Sequence, residues 1–228
     1  MQAVTFDFYN TLVYHRAGTG RGRQYQDYLS ARGYACDPWE HQVLYDIFEY
    51  YGTSYSATLT DEAKLSFWTE FTRRLFARTN VRAPGGVDYA EHAQAIGDIM
   101  GPNGFAVFDE CGPVLRQLKE RGLRLGVISD WQKGLSHFCD ELGFGTYLDA
   151  VIASGEAGYR KPDPRLFALA RERMGVAARE ILHVGDSRED IEGAQAAGFS
   201  AALLVRAGGP VAAGVPVLRN LRELLSLV

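Results

Sequence analysis

Apolar residues fall along the chain in two patterns. The first is a short, β-rich apolar run closed by a turn. Residues 3–9 (AVTFDFY), 123–129 (LRLGVIS), 149–153 (DAVIA), 181–185 (ILHVG) and 200–205 (SAALLV) show it, and 215–218 (VPVL) shows a weaker version. Near-continuous apolar runs of this length fit strands covered by helices on both faces. Helical periodicity fills the intervals at 111–121, 133–142, 164–174 and 188–197. Strands alternating with helices predict an α/β fold, a doubly wound, Rossmann-like parallel sheet. Right-handed crossovers then bring every strand's C-terminal end to one edge.

The second pattern covers residues 14–100, where no strand stands out. Residues 22–33, 38–51, 60–79 and 87–100 read as amphipathic helices, and Thr60 is placed to cap one of them. Breakers at Pro84-Gly85-Gly86 and Gly101-Pro102-Asn103-Gly104 frame the last helix. The expected organisation is an α/β core domain from residues 1–13 and 101–228, with an all-helical domain inserted at 14–100. The tyrosine-rich stretch 45–55 (YDIFEYYGTSY) fits helix–helix packing, or an aromatic wall over a substrate. The glycine- and arginine-rich 15–23 segment reads as a solvated loop, or as a mobile link whose arginines meet an anion.

Composition narrows the function classes. The 228 residues are 46% hydrophobic and 23% charged, which excludes a wholly disordered chain. Net charge is −4, spread evenly between 14–100 and the remainder, so no basic face for nucleic acid is expected. The longest apolar runs fall far short of the ~20 residues that span a bilayer. The start, MQAVTFDFYNTLV, meets Asp7 too early for a signal peptide. Cys36, Cys111 and Cys139 form no CxxC pair and read as free thiols in a reducing, cytoplasmic setting. Walker A, GxGxxG, HExxH and GxSxG patterns are absent.

The residues that follow the strands carry the chemistry. An open α/β sheet binds ligands at the carboxyl ends of its strands. The first strand is followed by Asp7, Tyr9, Asn10 and Thr11, the second by Ser129 and Asp130, the third by Arg160 and Lys161, and the fourth by Asp186, Glu189 and Asp190. Carboxylates from two strand ends suit Mg²⁺, which prefers oxygen ligands. Thr11 and Ser129 offer hydroxyl donors to an anion, and Lys161 offers a positive charge against the crowded carboxylates. Asp7 can then act as a nucleophile. Substrate contacts are expected from Ser129, Lys161, Asn10 and Asp130, although Asp130 equally fits the N-cap of the following helix. His183, inside a strand pattern, reads as a satisfied core histidine.

The four segments FDFYNTLV, VISD, YRKPDP and HVGDSREDIEGAQAAG, in this order and spacing, resemble the motifs of the haloacid dehalogenase superfamily over residues 4 to about 206. The resemblance implies a helical cap between the first two motifs. It implies Asp7 as nucleophile, Thr11 and Ser129 as oxyanion-binding hydroxyls, and Lys161 as the charge-neutralising lysine. Mg²⁺ would be held by Asp7, Asp186, the Tyr9 backbone carbonyl and Asp190, the last directly or through water. The partner would be a small anionic molecule, not nucleic acid or membrane. Tyr9 departs from the pattern, because family phosphatases carry there an aspartate that acts as general acid and base. Family 2-haloacid dehalogenases commonly carry a tyrosine there. The acidic fourth motif is the form seen in Mg²⁺-dependent members and outweighs that one residue. The expected activity is a Mg²⁺-dependent phosphatase of a small metabolite, working through an aspartyl phosphate. A 2-haloacid dehalogenase and a weakly active or non-catalytic binding protein remain as alternatives.

Overall fold

A computed structural model of the chain describes residues 1–54, 60–206 and 214–228. In chain order its elements are β1 (Ala3–Phe6), β2 (Val13–His15), α1 (Arg21–Ser30), α2 (His41–Ser54), α3 (Asp61–Arg78), α4 (Tyr89–Met100), β3 (Phe105–Val107), α5 (Cys111–Glu120), β4 (Arg124–Ser129), α6 (Leu135–Glu141), β5 (Ala150–Ala153), α7 (Ser154–Ala157), α8 (Pro164–Met174), β6 (Ile181–Gly185), α9 (Arg188–Ala196), β7 (Ser200–Leu204) and β8 (Val217–Leu218).

Six strands form one sheet in the order β5-β4-β1-β6-β7-β8, with neighbouring strands parallel. The apolar runs become strands because both faces are covered: every residue of β1 and β6 is buried. From β1 the chain builds outward through β4 and β5, then returns to the other side through β6, β7 and β8. The strand order therefore reverses at β1, and a crevice opens beyond the carboxyl ends of β1, β4 and β6. The α/β fold expected from the sequence is the fold observed.

Helix ends on this side of the chain have local causes. Asp163 caps α8 by accepting the Arg165 N–H, Pro164 starts the helix, and Gly175 ends it in the left-handed region. Leu166, Phe167, Ala170 and Met174 of α8 pack with Ile128, Ile152, Ile181 and Ile191. The strand at 3–9 is shorter than its apolar pattern. It stops at Phe6, and the chain turns at Asn10, whose φ of 59° is left-handed.

By compactness the chain divides into two units: Met1–Tyr14, Val107–Trp131 and Gly143–Val228, and His15–Ala106 with Gln132–Leu142. The first unit holds the six-stranded sheet. The second is helical, with α1 to α4 and α6. Its interior is aromatic: Phe48 meets Phe71 at 5.4 Å and Tyr51 meets Phe138 at 5.3 Å, ring centre to ring centre. Tyr51 is fully buried, so this part of the tyrosine-rich stretch packs helices together. Tyr55 lies outside the described residues. Thr60 caps α3 as expected, accepting the Ala63 N–H. Arg21 is also buried, its guanidinium over the Phe48 and Phe105 rings and donating to the Met100 carbonyl.

Two short strands had no counterpart in the sequence pattern. β2 and β3 pair as a separate two-stranded sheet. At three residues each, they are too short for alternation to register. Among the described residues no helix is long and apolar enough to cross a membrane. All three cysteines are free thiols.

Candidate active site

Four strand ends and loops of the sheet unit bring the sequence-selected residues together. Asp7 follows β1, and its backbone N–H still bonds the Val184 carbonyl of β6 at 2.9 Å. Its side chain is buried and Oδ1 accepts from Ser129 Oγ at 3.0 Å, at the end of β4. Lys161 Nζ donates to the same Oδ1 at 2.5 Å and also to Asp190. Asp190 is buried in the first turn of α9. Asp186, at the end of β6, completes a cluster in which one oxygen each of Asp7, Asp186 and Asp190 lies within 4.8 Å of the others. A cleft of about 460 Å³ opens over these residues and is also lined by Tyr9, Arg160 and Glu189.

Local sequence explains why α9 presents Asp190 this way. Ser187 accepts the Asp190 N–H, and Asp190 Oδ2 accepts from both the N–H and the hydroxyl of Ser187. This reciprocal capping box fixes the start of the helix. Gly185 makes room for it. A Cβ there would sit 2.2 Å from Asp190 Cγ, so no larger residue leaves the carboxylate in place.

The electrostatics follow from one ammonium facing three carboxylates. Burial by itself would lower the Lys161 pKa, but Asp7 and Asp190 outweigh it and hold the ammonium charged. Burial would likewise raise Asp190, but Lys161 and His183 hold it well below the usual carboxylate range. Asp7 is pushed up by burial and by the charge of Asp190, against the pull of Lys161. Asp186 is pushed up to about 6, by burial first and then by Asp7 and Asp190. The cluster is short of positive charge, and a divalent cation reverses that balance. The donor set, all oxygen, fits Mg²⁺. Thr11 lies outside the residues that line the cleft, and its Oγ1 is buried with no hydrogen-bond partner.

Two expectations are refined by the geometry. Asp130 does not cap α6, whose N-cap position is Gly134. It accepts the Lys161 backbone N–H at 3.0 Å instead, and so pins the loop that carries the lysine. Asn10 is exposed and its side chain bonds Asp186. Arg206, which the sequence did not single out, follows β7. It donates to the carbonyls of Asn10 and Thr11 at 3.0 and 2.7 Å, pairs with Glu110 and stacks on Phe108. It clamps the loop after Asp7, and only the fold brings it there.

An acidic, lysine-bridged cleft at the reversal point of a parallel α/β sheet agrees with the class of protein that the motifs imply, a hydrolase. Residues 1–198 match the haloacid dehalogenase-like hydrolase family, and the chain belongs to that family of hydrolases. It is 31% identical over 120 residues to haloacid dehalogenase-like hydrolase domain-containing protein 3 of Danio rerio, covering 53% of this chain and 49% of that protein. The chain thus spans about half the length of that relative. It is 31% identical to the phosphoserine phosphatase of Thermus thermophilus, over 72% of this chain and 66% of that one. Among solved structures, an L-2-haloacid dehalogenase superposes with a TM-score of 0.59 at 27% identity, covering 100% of this chain and 98% of the other.

Asp186 gives a test of the charge balance. A carboxylate whose pKa rises from 3.8 to about 6 on folding costs stability as pH climbs from about 4 to 6, and the cost persists above. Asp186→Asn therefore raises the unfolding midpoint of the metal-free protein at pH 7, with the gain vanishing below about pH 4. Added Mg²⁺ stabilises the wild type more than the variant. Thermal unfolding with Mg²⁺ and with EDTA across this range checks both signs. A variant that is less stable than the wild type at pH 7 without metal contradicts the charge argument.

Proposed function

We propose that this protein is a Mg²⁺-dependent phosphohydrolase acting on a small phosphorylated metabolite, with Asp7 as nucleophile and residues 14–100 as a substrate-selecting helical cap. The observation that carries the reading is the buried Asp7 carboxylate, oriented by Ser129 and charge-balanced by Lys161 beside two further carboxylates. A phosphatase among the relatives supports the same reaction class.

The chain's own residues divide the work as follows. An Asp7 carboxylate oxygen bonds to phosphorus as the ester P–O bond breaks, and the alcohol oxygen leaves with the electron pair and takes a proton from solvent. Water then attacks phosphorus as the bond to the Asp7 oxygen breaks and the carboxylate leaves with the electron pair, and of the water's two protons one stays on the released phosphate and one goes to solvent. The Thr11 and Ser129 hydroxyls donate to the non-bridging oxygens, Ser129 turning from Asp7 to do so. Lys161 keeps Asp7 ionised beside its acidic neighbours. Asp7, Asp186 and the Tyr9 carbonyl, with Asp190 directly or through water, would hold Mg²⁺, which would set positive charge against these carboxylates and the phosphoryl group. Asn10, Asp130 and Arg160 border the place where the rest of the substrate lies.

Hydrolysis of an activated aryl phosphate, with Mg²⁺ and with EDTA, tests the reading. Turnover that needs Mg²⁺ is expected, and equal turnover in EDTA rejects it. Tyr9 sharpens the test, because a phenol with a pKa near 10 is a poor acid at neutral pH. Tyr9→Asp supplies a carboxyl group where the family's phosphatases have one. It should raise turnover of an alkyl phosphate, whose leaving group needs a proton, more than that of an aryl phosphate. A well-placed general acid contributes roughly 10²–10⁴-fold. Slower turnover of both substrates refutes this account of Tyr9.

One observation favours a second reading. Tyr9, together with the likeness to an L-2-haloacid dehalogenase, suits displacement of a halide, which needs no proton. Halide release from a 2-haloacid in EDTA, without phosphatase activity, would establish it.

A further inference from the structure

His183 lies in the middle of β6, fully buried, level with Thr5 of the neighbouring β1. Thr5 stands two residues before Asp7 in the chain, and His183 two before Gly185, so each shares a strand face with the residue that opens the site. A buried imidazole needs partners for its ring nitrogens. Here Nδ1 is 2.9 Å from Thr5 Oγ1 and Nε2 is 3.2 Å from Asp190 Oδ1. The Phe167 ring meets the imidazole edge-on at 5.1 Å and limits its rotation.

The direction of each hydrogen bond is determined. Asp190 Oδ1 already accepts from the Lys161 ammonium and Oδ2 from both Ser187 donors, so the carboxylate accepts from His183 as well and Nε2 carries a hydrogen. Nδ1 faces a hydroxyl, and the carboxylate at Nε2 is already paired with the Lys161 ammonium, so the fully buried ring has no counter-ion of its own and is neutral. Nδ1 is then a lone pair, and the Thr5 hydroxyl donates to it. A continuous chain runs from Thr5 through His183 and Asp190 to Lys161 and Asp7. Asp190 Oδ2 is occupied by Ser187, whereas Oδ1 is shared between His183 and Lys161.

We propose that His183, held in its Nε2–H tautomer by Thr5, is a positioning residue that fixes the Asp190 carboxylate and through it aims Lys161 at Asp7. The role rests on Asp7 being the nucleophile of the reaction proposed above. It extends that reading to two residues of the sheet that never touch substrate. Their effect is on the orientation of the charged groups, so it falls on kcat and leaves KM for an aryl phosphate near its wild-type value.

Three variants and one spectrum test the role. His183→Phe keeps an aromatic ring but removes the donor, and kcat falls about 10–100-fold, the usual range for an outer-shell partner of a metal-site ligand. His183→Gln keeps an N–H within reach of Asp190 and recovers most of that loss at an unfolding midpoint no higher than that of the Phe variant. Thr5→Val keeps shape and β-branching and removes only the hydroxyl. It gives a smaller loss of kcat in a protein that folds normally. In ¹⁵N-histidine-labelled wild type, His183 shows a protonated Nε2 and an unprotonated Nδ1, and Thr5→Val blurs that pattern. A ring protonated on Nδ1 overturns the proposal, as does wild-type kcat in His183→Phe or in Thr5→Val. Glutamine that is no better than phenylalanine also overturns it. Absence of wild-type turnover would instead reject the phosphohydrolase reading, while the tautomer remains measurable without substrate.

Discussion

Asp7→Asn leaves a folded protein whose hydrolysis of an activated aryl phosphate in Mg²⁺ falls by roughly 10³-fold or more, as for other nucleophile deletions. The amide matches the carboxylate in shape but cannot form the covalent intermediate. The fold survives because Asp7 is not the chain's only claim on Lys161: Asp190 still pairs with the ammonium. Burial pushes the Asp7 carboxyl up, so its charge costs stability that an amide does not. The unfolding midpoint of the variant without metal is therefore equal to or above that of the wild type. Purified variant and wild type are compared by initial rates and by thermal unfolding. Retained turnover removes Asp7 from the role of nucleophile, whatever happens to stability.

Lys161→Met has the opposite signature, losing both stability and turnover. The Lys161 side chain is only 5% exposed and its ammonium meets two buried carboxylates. Removing one partner of a buried ion pair costs about 3–5 kcal/mol, because the remaining charges stay desolvated and unpaired. The pH dependence has a definite sign. Asp190 is held below its ordinary range in the native protein, so its contribution is full above about pH 4 and is lost as pH falls. Without Lys161 that contribution disappears. The gap between wild type and variant is widest at neutral pH and narrows in acid, where the carboxylates protonate. Mg²⁺ recovers part of the stability by supplying positive charge to the same oxygens. Denaturant unfolding at pH 7 and at about pH 2.5, with and without Mg²⁺, reads these differences. A variant as stable as wild type at pH 7 in EDTA would show that the cluster is not charged as described.

Much of this was legible from the order of residues along the chain. The apolar runs marked the main strands of the sheet because strands buried on both faces leave little room for polar residues. Asp7, Ser129, Lys161, Asp186 and Asp190 were legible as a set because each lies at or beyond the end of a strand, and parallel strands end on one edge. β2 and β3 were not legible, since three residues carry no period. α6 shows a helical pattern that suits a crossover of the sheet. Its Phe138 packs instead against Phe48 and Tyr51, a contact between segments about ninety residues apart that no local pattern encodes.

The sequence by itself determined the fold class, the family and the residues of the candidate site, because periodicity, turn chemistry and motif spacing are local properties. The tertiary structure decided what those residues do to one another. Asp130 became a staple for the Lys161 loop, Arg206 a clamp on the carbonyls after Asp7, and His183 a link from Thr5 to Asp190. Each of these is a hydrogen bond across at least one strand or loop, and its direction depends on which groups burial leaves charged. Neither fact can be computed from neighbours in the chain, since register between strands and the loss of water around a side chain exist only once the sheet has formed.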